Sequence, residues 1–213
     1  MTTLADLRRE YASRALTEEA ADTDPLRQFA AWFDEALKSQ LIDVNAMTLA
    51  TASPGGEPAA RIVLLKGVDE SGFVFYSNYE SAKGRDLSAN PRACLLFFWA
   101  ELERQVRITG AVTRTTSEES ESYFHSRPFE SQIGAVISDQ SRTVSDRSRL
   151  EKRYAETAEK YKGSIVPRPD HWGGYRVKPE TIEFWQGRTS RLHDRLLYSR
   201  QADGSWSRSR LEP

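Results

Sequence analysis

Five segments in the middle of the chain constrain its fold most, because they have the composition of strands and follow one another closely. Each is rich in apolar and β-branched residues, which favour extended structure. The segments are Met47–Ala52, Ala59–Val68, Phe73–Ser77, Ala93–Trp99 and Gln105–Thr115. Turn signals at Ser53–Gly56 and Asp69–Gly72 separate the first three. Strands joined by such short links are expected to pair antiparallel.

Four further strand-like segments lie near the C-terminus, with Asp203–Gly204 as a hairpin turn between the last two. They are Trp172–Lys178, Thr181–Trp185, Leu196–Arg200 and Ser205–Leu211. About nine antiparallel strands with a few helices predict a mainly β fold with α additions, arranged as a closed or half-closed barrel. The glycine-rich loops of the common phosphate-binding α/β folds do not occur in the sequence.

Four helices are predicted from capping signals and apolar spacing. The dipeptide Asp24–Pro25 is a good start for a helix that runs to about Ser39. The spacing of Thr116 and Glu119 indicates a capping box that opens another helix. The remaining two helices are Ser81–Ala89 and Asp146–Lys162.

Length and composition bound the class of protein. A chain of 213 residues can form one substantial core or two small ones. We predict one domain over residues 25–213, preceded by a mobile segment over residues 1–24. The net charge of −1 provides no general field for a nucleic acid. The sequence shows no apolar segment typical of a signal peptide or a membrane span, so a cytoplasmic protein without a membrane partner is expected.

Neither a metal site nor an internal disulfide is expected. The histidines His125, His171 and His193 have no ligand-like spacing with a cysteine or a carboxylate. Cys94 is the single cysteine, and a buried inert thiol is its simplest interpretation.

The segment Arg191–Arg195 carries the strongest indication of chemistry. If it is extended, side chains alternate, and Arg191, His193 and Arg195 share one face. Two guanidinium groups and an imidazole on one face suit a bound anion, because arginine binds phosphate bidentately. A solvated edge strand is the alternative interpretation.

Two cations flank an apolar strand at Arg61 and Lys66. Strict alternation would place them on opposite faces, and a bulge or a ligand wrapped around the strand end would reconcile them. Ordinary charged strand ends are the alternative. A phosphate seat is also predicted where Tyr76 and Ser77 precede a helix N-terminus with Lys83. Simple capping of that helix by Ser81 is equally compatible with the pattern.

A second anion site is predicted around Tyr123, Arg127 and Ser131, although termination of a helix at Pro128 explains the same residues. The amides of Gln105 and Gln140 suit the edge of a flat heterocycle, on which Trp185 could stack. Core packing is an equally good interpretation of Trp185.

Together these motifs resemble the pyridoxine (pyridoxamine) 5′-phosphate oxidase family over nearly the whole chain. The matching segments are Leu7–Tyr11, Arg61–Lys66, Leu102–Val106, Tyr123–Pro128, Ser131–Ala135, Trp172–Gly174, Glu183–Gly187, Arg191–Arg195 and Arg210–Pro213. The resemblance implies an FMN-binding split β-barrel and a homodimer with each FMN between two subunits. It also implies oxidation of pyridoxine 5′-phosphate and pyridoxamine 5′-phosphate to pyridoxal 5′-phosphate. Hydride would pass from substrate C4′ to the flavin, and O2 would reoxidise the flavin to give H2O2.

The resemblance also implies roles for individual residues. The cofactor-binding residues would be Arg61, Ile62, Val63, Leu64, Lys66, Tyr76, Ser77, Lys83, Gln105, Gln140, Ser141, Trp185 and Arg195. The substrate phosphate would lie among Lys66, Tyr123, Arg127 and Ser131. Arg191 and His193 would be the catalytic residues over the substrate ring, and Arg8 and Tyr11 would form a lid.

The sequence departs from the family at Ala82, where members often have arginine. Arg85, one helical turn later, is a candidate substitute. Two alternatives to the oxidase remain at this stage. One is an FMN- or deazaflavin-dependent reductase on the same barrel, and the other is a non-catalytic protein that binds flavin or pyridoxal phosphate.

Overall fold

The computed structural model describes residues 15–213, which form five α-helices and nine strands. The helices are α1 Pro25–Lys38, α2 Ala82–Ala89, α3 Ser117–Ser126, α4 Phe129–Ile137 and α5 Arg147–Tyr161. The strands are β1 Ala46–Ala52, β2 Pro58–Leu64, β3 Gly67–Asp69, β4 Gly72–Asn78, β5 Arg92–Trp99, β6 Arg104–Arg114, β7 Trp172–Gln186, β8 Asp194–Arg200 and β9 Trp206–Arg210. Short 3₁₀ turns occur at Ala100–Leu102 and Thr189–Arg191.

All nine strands belong to one antiparallel sheet that branches at β7. The main path runs β2-β1-β5-β6-β7-β4-β3, and β8 and β9 extend from β7 as a side branch. The first half of β7 pairs with β4 and its second half with β8, while β6 pairs along both halves. The register passes from Thr109–Thr181 to Gly110–Pro179, so Glu180 forms a bulge where the two halves meet. The predicted mainly β split barrel is confirmed.

The barrel corner between β2 and β3 differs from the prediction of one strand over 59–68. The strand ends at Leu64, and the chain crosses from one edge of the sheet to the other. The Leu65 N–H donates to the Asn45 carbonyl, and the Lys66 N–H donates to the Val74 carbonyl. Lys66 is therefore hydrogen-bonded to β4 and is not a continuation of β2. The alternation that separated Arg61 from Lys66 does not extend across this corner.

Two other predictions for the elements were wrong. The segments 172–178 and 181–185 form a single strand, β7, because the bulge at Glu180 absorbs the irregularity that Pro179 introduces. Helix α4 was not predicted. Pro128 ends α3 and also begins α4, where a missing N–H leaves no helical hydrogen bond unmade. The predicted caps of α1, α2 and α3 are confirmed, including both halves of the capping box of α3.

Helix α1 covers one end of the barrel and completes the main core. Phe29 on α1 packs edge-on against Phe73 at 5.0 Å between ring centroids and also contacts Phe97. All three rings are buried. A smaller core under α3, α4 and α5 contains Phe124, Ile133, Val166 and Trp172. This second core supports the segment that carries Tyr123 and Arg127.

The described part of the N-terminal segment packs on the barrel, which differs from the mobile tail predicted for residues 1–24. Leu16 and Ala21 are buried. The Leu16 N–H donates to Asp194 Oδ2 at 3.0 Å, and Arg210 pairs with Glu18 at 2.6 Å. Within this segment, Glu18 is therefore paired with β9, and the backbone of Leu16 is bonded to β8.

The segment Arg191–Arg195 is not one extended strand. Thr189–Arg191 forms a 3₁₀ turn, in which Ser190 and Arg191 have φ values of 56° and 62°, and β8 begins only at Asp194. The Arg188 N–H donates to His193 Nδ1 at 3.1 Å, which closes the turn. The predicted shared face of Arg191, His193 and Arg195 is therefore wrong, because alternation requires extended backbone.

No helix within residues 15–213 is long and apolar enough to cross a membrane.

Candidate functional site

A cavity of about 830 Å³ lies along the edge strand β2 and is bounded by β4, α2 and α3–α4. Most of the predicted site residues line it. They are Arg61, Ile62, Val63, Leu64, Lys66, Tyr76, Ser77, Lys83, Tyr123, Arg127, Ser131 and Gln140. Because β2 is at the edge of the sheet, residues from both of its faces reach the same cavity.

The charge of the cavity has one sign. Among the described residues that line it, four are cationic and none is a carboxylate. The cations are Arg61, Lys66, Lys83 and Arg127. An excess of positive charge within one concave site is suited to an anionic ligand.

Lys83 is buried at the N-terminal end of α2, where Ser81 caps the helix. Its ammonium donates to Gln140 Oε1 at 2.7 Å, Ser77 Oγ at 3.1 Å and Ser81 Oγ at 3.2 Å. Burial, with a smaller contribution from the nearby Arg61, lowers the pKa of Lys83 to about 8. All three acceptors are neutral, so the ammonium keeps its charge available for an anion.

Arg61 is held on the inner side of β2. It pairs in the ladder with Leu49, whose side chain is buried in the core. The guanidinium donates to Thr51 Oγ1 at 2.6 Å and lies 3.8 Å from Asp86. Thr51 in turn donates to Asp86 at 2.7 Å. Asp86 lies one turn after Lys83 on α2, so the same short helix orients both cations.

Three aromatic rings form a stack beside Arg127. Tyr76 and Tyr123 lie 3.9 Å apart at 20°, and Trp172 lies 5.5 Å from Tyr76 at 13°. The guanidinium of Arg127 lies 4.6 Å above the Trp172 ring and donates through Nη2 to the Ser131 carbonyl at 2.8 Å. The Nη1 atom of Arg127 is buried and has no hydrogen-bond partner in the described residues.

The other predicted residues form a second cluster, which consists of Gln105, Trp185, His193 and Arg195. Gln105, Trp185 and Arg195 are direct neighbours across β6, β7 and β8. The His193 ring lies 4.7 Å from the Trp185 ring. Arg195 donates to Glu183 at 2.8 Å. In one protomer, no member of the second cluster belongs to the cavity lining.

The second cluster lies on the outer face of the sheet, opposite the core. Gln105 pairs with Phe98, which is 58% exposed. The same outer face continues through Leu96 to Ile62, which is 66% exposed. Ile62 also lines the cavity. The outer face therefore joins an exposed apolar area to both the second cluster and the mouth of the cavity.

Several predicted residues have other positions. Arg191 is exposed in the 3₁₀ turn, and Ser141 is exposed with a φ of 71° just after Gln140. Neither lines the cavity. Arg85, the candidate substitute for an arginine at position 82, donates to the Glu80 carbonyl and is also outside the lining. Arg8 and Tyr11 lie outside the described residues.

Some lining residues were not predicted. They are Asn78, Pro128, Gly134, Ala135, Ser138 and Trp172. The Asn78 amide donates to the Ser138 carbonyl at 3.0 Å, which fixes the loop after α4 against the end of β4. Trp172 could have been found, since it opens the Trp172–Gly174 motif. Gly134 and Ala135 could also have been found, since they belong to the Ser131–Ala135 motif, whereas Ser138 belongs to no quoted motif.

Comparison with known sequences decides the family. The sequence model described as pyridoxamine 5′-phosphate oxidase matches residues 33–161, and that described as the C-terminal dimerisation region of pyridoxine 5′-phosphate oxidase matches residues 172–213. The chain belongs to the pyridoxamine 5′-phosphate oxidase family. Family membership makes it an oxidoreductase that uses a flavin, and the match to the dimerisation region supports a homodimer.

Relatives named pyridoxine/pyridoxamine 5′-phosphate oxidase are similar over their full length. The protein from Rubrobacter xylanophilus is 59% identical over 99% of this chain and 96% of its own. The protein from Ralstonia pickettii is 57% identical over the whole of both chains.

Solved structures of the family share the fold. PhzG from Burkholderia lata, solved with tetrahydrophenazine-1-carboxylic acid, has a TM-score of 0.89 and 28% identity over 94% of this chain and 99% of its own. A pyridoxamine 5′-phosphate oxidase-related FMN-binding protein from Nostoc punctiforme has a TM-score of 0.74 and 18% identity, over 90% and 100%. At 18% identity, the similarity to the Nostoc punctiforme protein concerns the fold alone.

Proposed function

We propose that this protein is an FMN-dependent oxidase of pyridoxine 5′-phosphate and pyridoxamine 5′-phosphate that produces pyridoxal 5′-phosphate. The observation that carries the proposal is the pair of cationic seats in one cavity without a carboxylate. We assign Lys83 and Arg61, which are close enough to interact, to one seat, and Lys66 and Arg127 to the other. Two phosphate groups, one on the cofactor and one on the substrate, account for both.

The first seat suits the FMN phosphate. Ser77 and Lys83 present a hydroxyl and an ammonium on neighbouring elements, and Arg61 adds a guanidinium oriented by Thr51. The cation–phosphate hydrogen bonds are charge-assisted and therefore strong. Ala82 has no donor to add to them, and Arg85 donates to the Glu80 carbonyl instead.

The second seat suits the substrate phosphate. Arg127 Nη1 is a buried donor without a partner among the described residues, a costly arrangement unless a ligand accepts from it. Lys66, Tyr123 and Ser131 line the same cavity. A relative that accepts an unphosphorylated substrate would have little use for this seat.

The outer face suits a second copy of the chain. Exposed apolar residues on it adjoin the cavity mouth at Ile62, and the second cluster lies on the same face. A symmetric dimer through this face would bring the partner's second cluster to the cavity. Gln105, Trp185 and Arg195 would then contact the flavin, with Gln140 and Ser141 near it. Arg191 and His193 would approach the substrate ring.

The protein residues bind, orient and exclude water, because the cofactor carries the difficult chemistry. FMN held by these residues would supply the hydride acceptor for substrate C4′, and O2 would take up the two electrons to give H2O2. The pyridoxine form would also lose its C4′ hydroxyl proton, and the imine from the pyridoxamine form would be hydrolysed by water with release of ammonia. The phosphate seats fix both reactants, and such fixation alone lowers the barrier substantially. Arg191 and His193 hold the polar groups of the substrate ring in position. A catalytic acid–base pair is not required for hydride transfer.

The test is oxygen-dependent formation of pyridoxal 5′-phosphate by the purified, FMN-loaded protein. Each phosphorylated substrate is supplied in turn, with unphosphorylated pyridoxine as the matched control. We expect turnover of the phosphorylated compounds with an equal amount of H2O2, and little turnover of pyridoxine. A bound yellow flavin without turnover would contradict the oxidase and favour a reductase or a carrier. Turnover of tetrahydrophenazine-1-carboxylic acid, the compound bound to PhzG, would assign a different substrate class.

A further inference from the structure

The surroundings of Arg127 differ from those of the other buried arginines. Arg104, Arg176 and Arg195 are each oriented by a carboxylate. In the described part of the chain, Arg127 has no such ion pair. Among residues 15–213, the only hydrogen bond made by its side chain runs from Nη2 to the Ser131 carbonyl, and its guanidinium lies on the Trp172 ring at 4.6 Å.

Trp172 is itself held firmly. Its backbone N–H donates to the Pro169 carbonyl at 3.0 Å, and its backbone carbonyl accepts from Arg168 Nη1 at 2.6 Å. The residue opens β7, opposite Asn78, and is 7% exposed. Its ring is nearly parallel to Tyr76 and meets Phe124 at 69°. An indole fixed on so many sides presents a rigid plane to the guanidinium.

An aromatic plane orients a cation without neutralising it. A carboxylate beside Arg127 would fix the side chain equally well, but it would compete with an anionic ligand for the same donors. The indole face attracts the guanidinium through its quadrupole and makes no hydrogen bond to it. Nη1 therefore remains a free donor, and burial lowers the pKa of Arg127 without an acid to offset it.

We propose that Trp172 is a positioning residue that sets the plane of Arg127 for recognition of a phosphate monoester. This inference rests on the proposed function, because it concerns the seat assigned to the substrate phosphate. Trp172 acts through Arg127 and affects binding of the phosphate more than the chemical step.

The test compares Trp172→Leu with Trp172→Phe in the FMN-loaded protein. Leucine fills space without a π face, whereas phenylalanine keeps a flat ring. We expect Trp172→Leu to raise KM for pyridoxamine 5′-phosphate about tenfold and to weaken inhibition by inorganic phosphate by a similar factor. The value of kcat should change less than about threefold, and Trp172→Phe should restore most of the loss.

Trp206→Leu is the matched control. Arg200 lies over the Trp206 ring at 5.8 Å, and neither residue lines the cavity. Loss of this ring should therefore leave KM unchanged. Combining Trp172→Leu with Arg127→Met tests whether the effect of Trp172 on binding depends on Arg127. If Trp172 acts through Arg127, Trp172→Leu should have no further effect on KM in the Arg127→Met background.

Three outcomes would overturn the inference. They are equal damage from both Trp172 variants, an unchanged KM in Trp172→Leu, and additive effects of Trp172→Leu and Arg127→Met. Calorimetric titration with inorganic phosphate separates this inference from the proposed function. A wild-type protein that fails to turn over contradicts the function, whereas equal phosphate affinity in wild type and Trp172→Leu contradicts the role of Trp172.

Discussion

Lys83 Nζ lies 2.7 Å from Gln140 Oε1, although the two residues are 57 positions apart in the chain. The contact ties the N-terminus of α2 to the loop that follows α4. It also gives the buried ammonium a neutral acceptor, so its charge is not compensated by an acid. The position of Lys83 therefore depends on a loop that belongs to the second, smaller core.

The lowered pKa of Lys83 predicts how binding depends on pH. Burial and Arg61 bring this pKa to about 8 in the empty site. Below pH 8 the ammonium is charged and attracts the FMN phosphate, whose own second pKa is about 6. As the pH rises through 8, Lys83 loses its proton in the empty site. Binding of FMN must then be accompanied by uptake of a proton by Lys83. We expect FMN affinity to fall by up to about tenfold per pH unit above 8, as measured by quenching of flavin fluorescence.

Lys83→Arg is the control for this titration. Arginine stays protonated throughout the accessible range, so the dependence on pH above 8 should be lost even if the affinity itself changes. A dependence of equal slope in Lys83→Arg would show that another group titrates.

Gly84 allows α2 to approach the end of β4 closely. A Cβ at this position would lie 2.0 Å from the Tyr79 carbonyl oxygen, which is backbone and cannot move aside. We expect Gly84→Ala to lower the free energy of unfolding by about 3 kcal/mol or more. The measurement is urea denaturation of the purified protein.

Gly134→Ala is the matched control, because nothing lies within 4 Å of a Cβ there and the residue is inside α4. Alanine in a helix interior is favoured over glycine, so stability should rise by up to about 1 kcal/mol. Equal destabilisation by both variants would contradict the steric argument.

Arg104 joins α1 to the barrel. Its side chain is 7% exposed, pairs with Glu35 at 2.8 Å, donates to Gln186 at 2.9 Å and covers Trp32. Arg104→Ala removes the donor to the buried Gln186 side chain and the ion pair with Glu35, and we expect a loss of about 3 kcal/mol in urea denaturation. The exposed Arg147, which pairs with Glu151, is the control, and its loss should cost less than about 0.5 kcal/mol.

The outer face predicts the dimer contact. Ile62→Lys would place a charge in a surface that the proposed dimer desolvates, so we expect dimer affinity to fall at least about a hundredfold. Sedimentation velocity over a range of protein concentrations measures this. Ile165 is 80% exposed and lies in the connection between α5 and β7, outside the strands of this face, so Ile165→Lys should remain dimeric. An undisturbed dimer in Ile62→Lys would place the interface elsewhere.

Arg191 is predicted to act on the substrate. Loss of a charged hydrogen bond corresponds to about 1.5–3 kcal/mol, so Arg191→Met should lower kcat/KM about 10- to 100-fold. FMN affinity should stay nearly intact, as measured by flavin fluorescence. An equal loss of activity and FMN affinity would move Arg191 from the substrate site to the flavin site.

Local signals in the sequence were sufficient for much of the fold. The cap at Asp24 and the capping box at Thr116 involve hydrogen bonds to residues two or three positions away, so neighbouring residues decide them. The strand β5 was visible for the same reason, since its apolar composition is a property of successive residues. Helix α4 was missed because Pro128 is also a signal that ends a helix, and only packing under the second core selects the helical alternative.

The sequence by itself determined the strands, the family motifs and the identity of the cationic residues, because these depend on composition, order and short-range spacing. Only the tertiary structure decided which of them share a site. It brought Lys66 to the same cavity as Arg61 by ending β2 at Leu64, and it placed Gln105 and Trp185 on the outer face. Such groupings depend on long-range strand pairing and on side chains that meet only when the sheet has closed. The sequence specifies these contacts without displaying them as a local pattern.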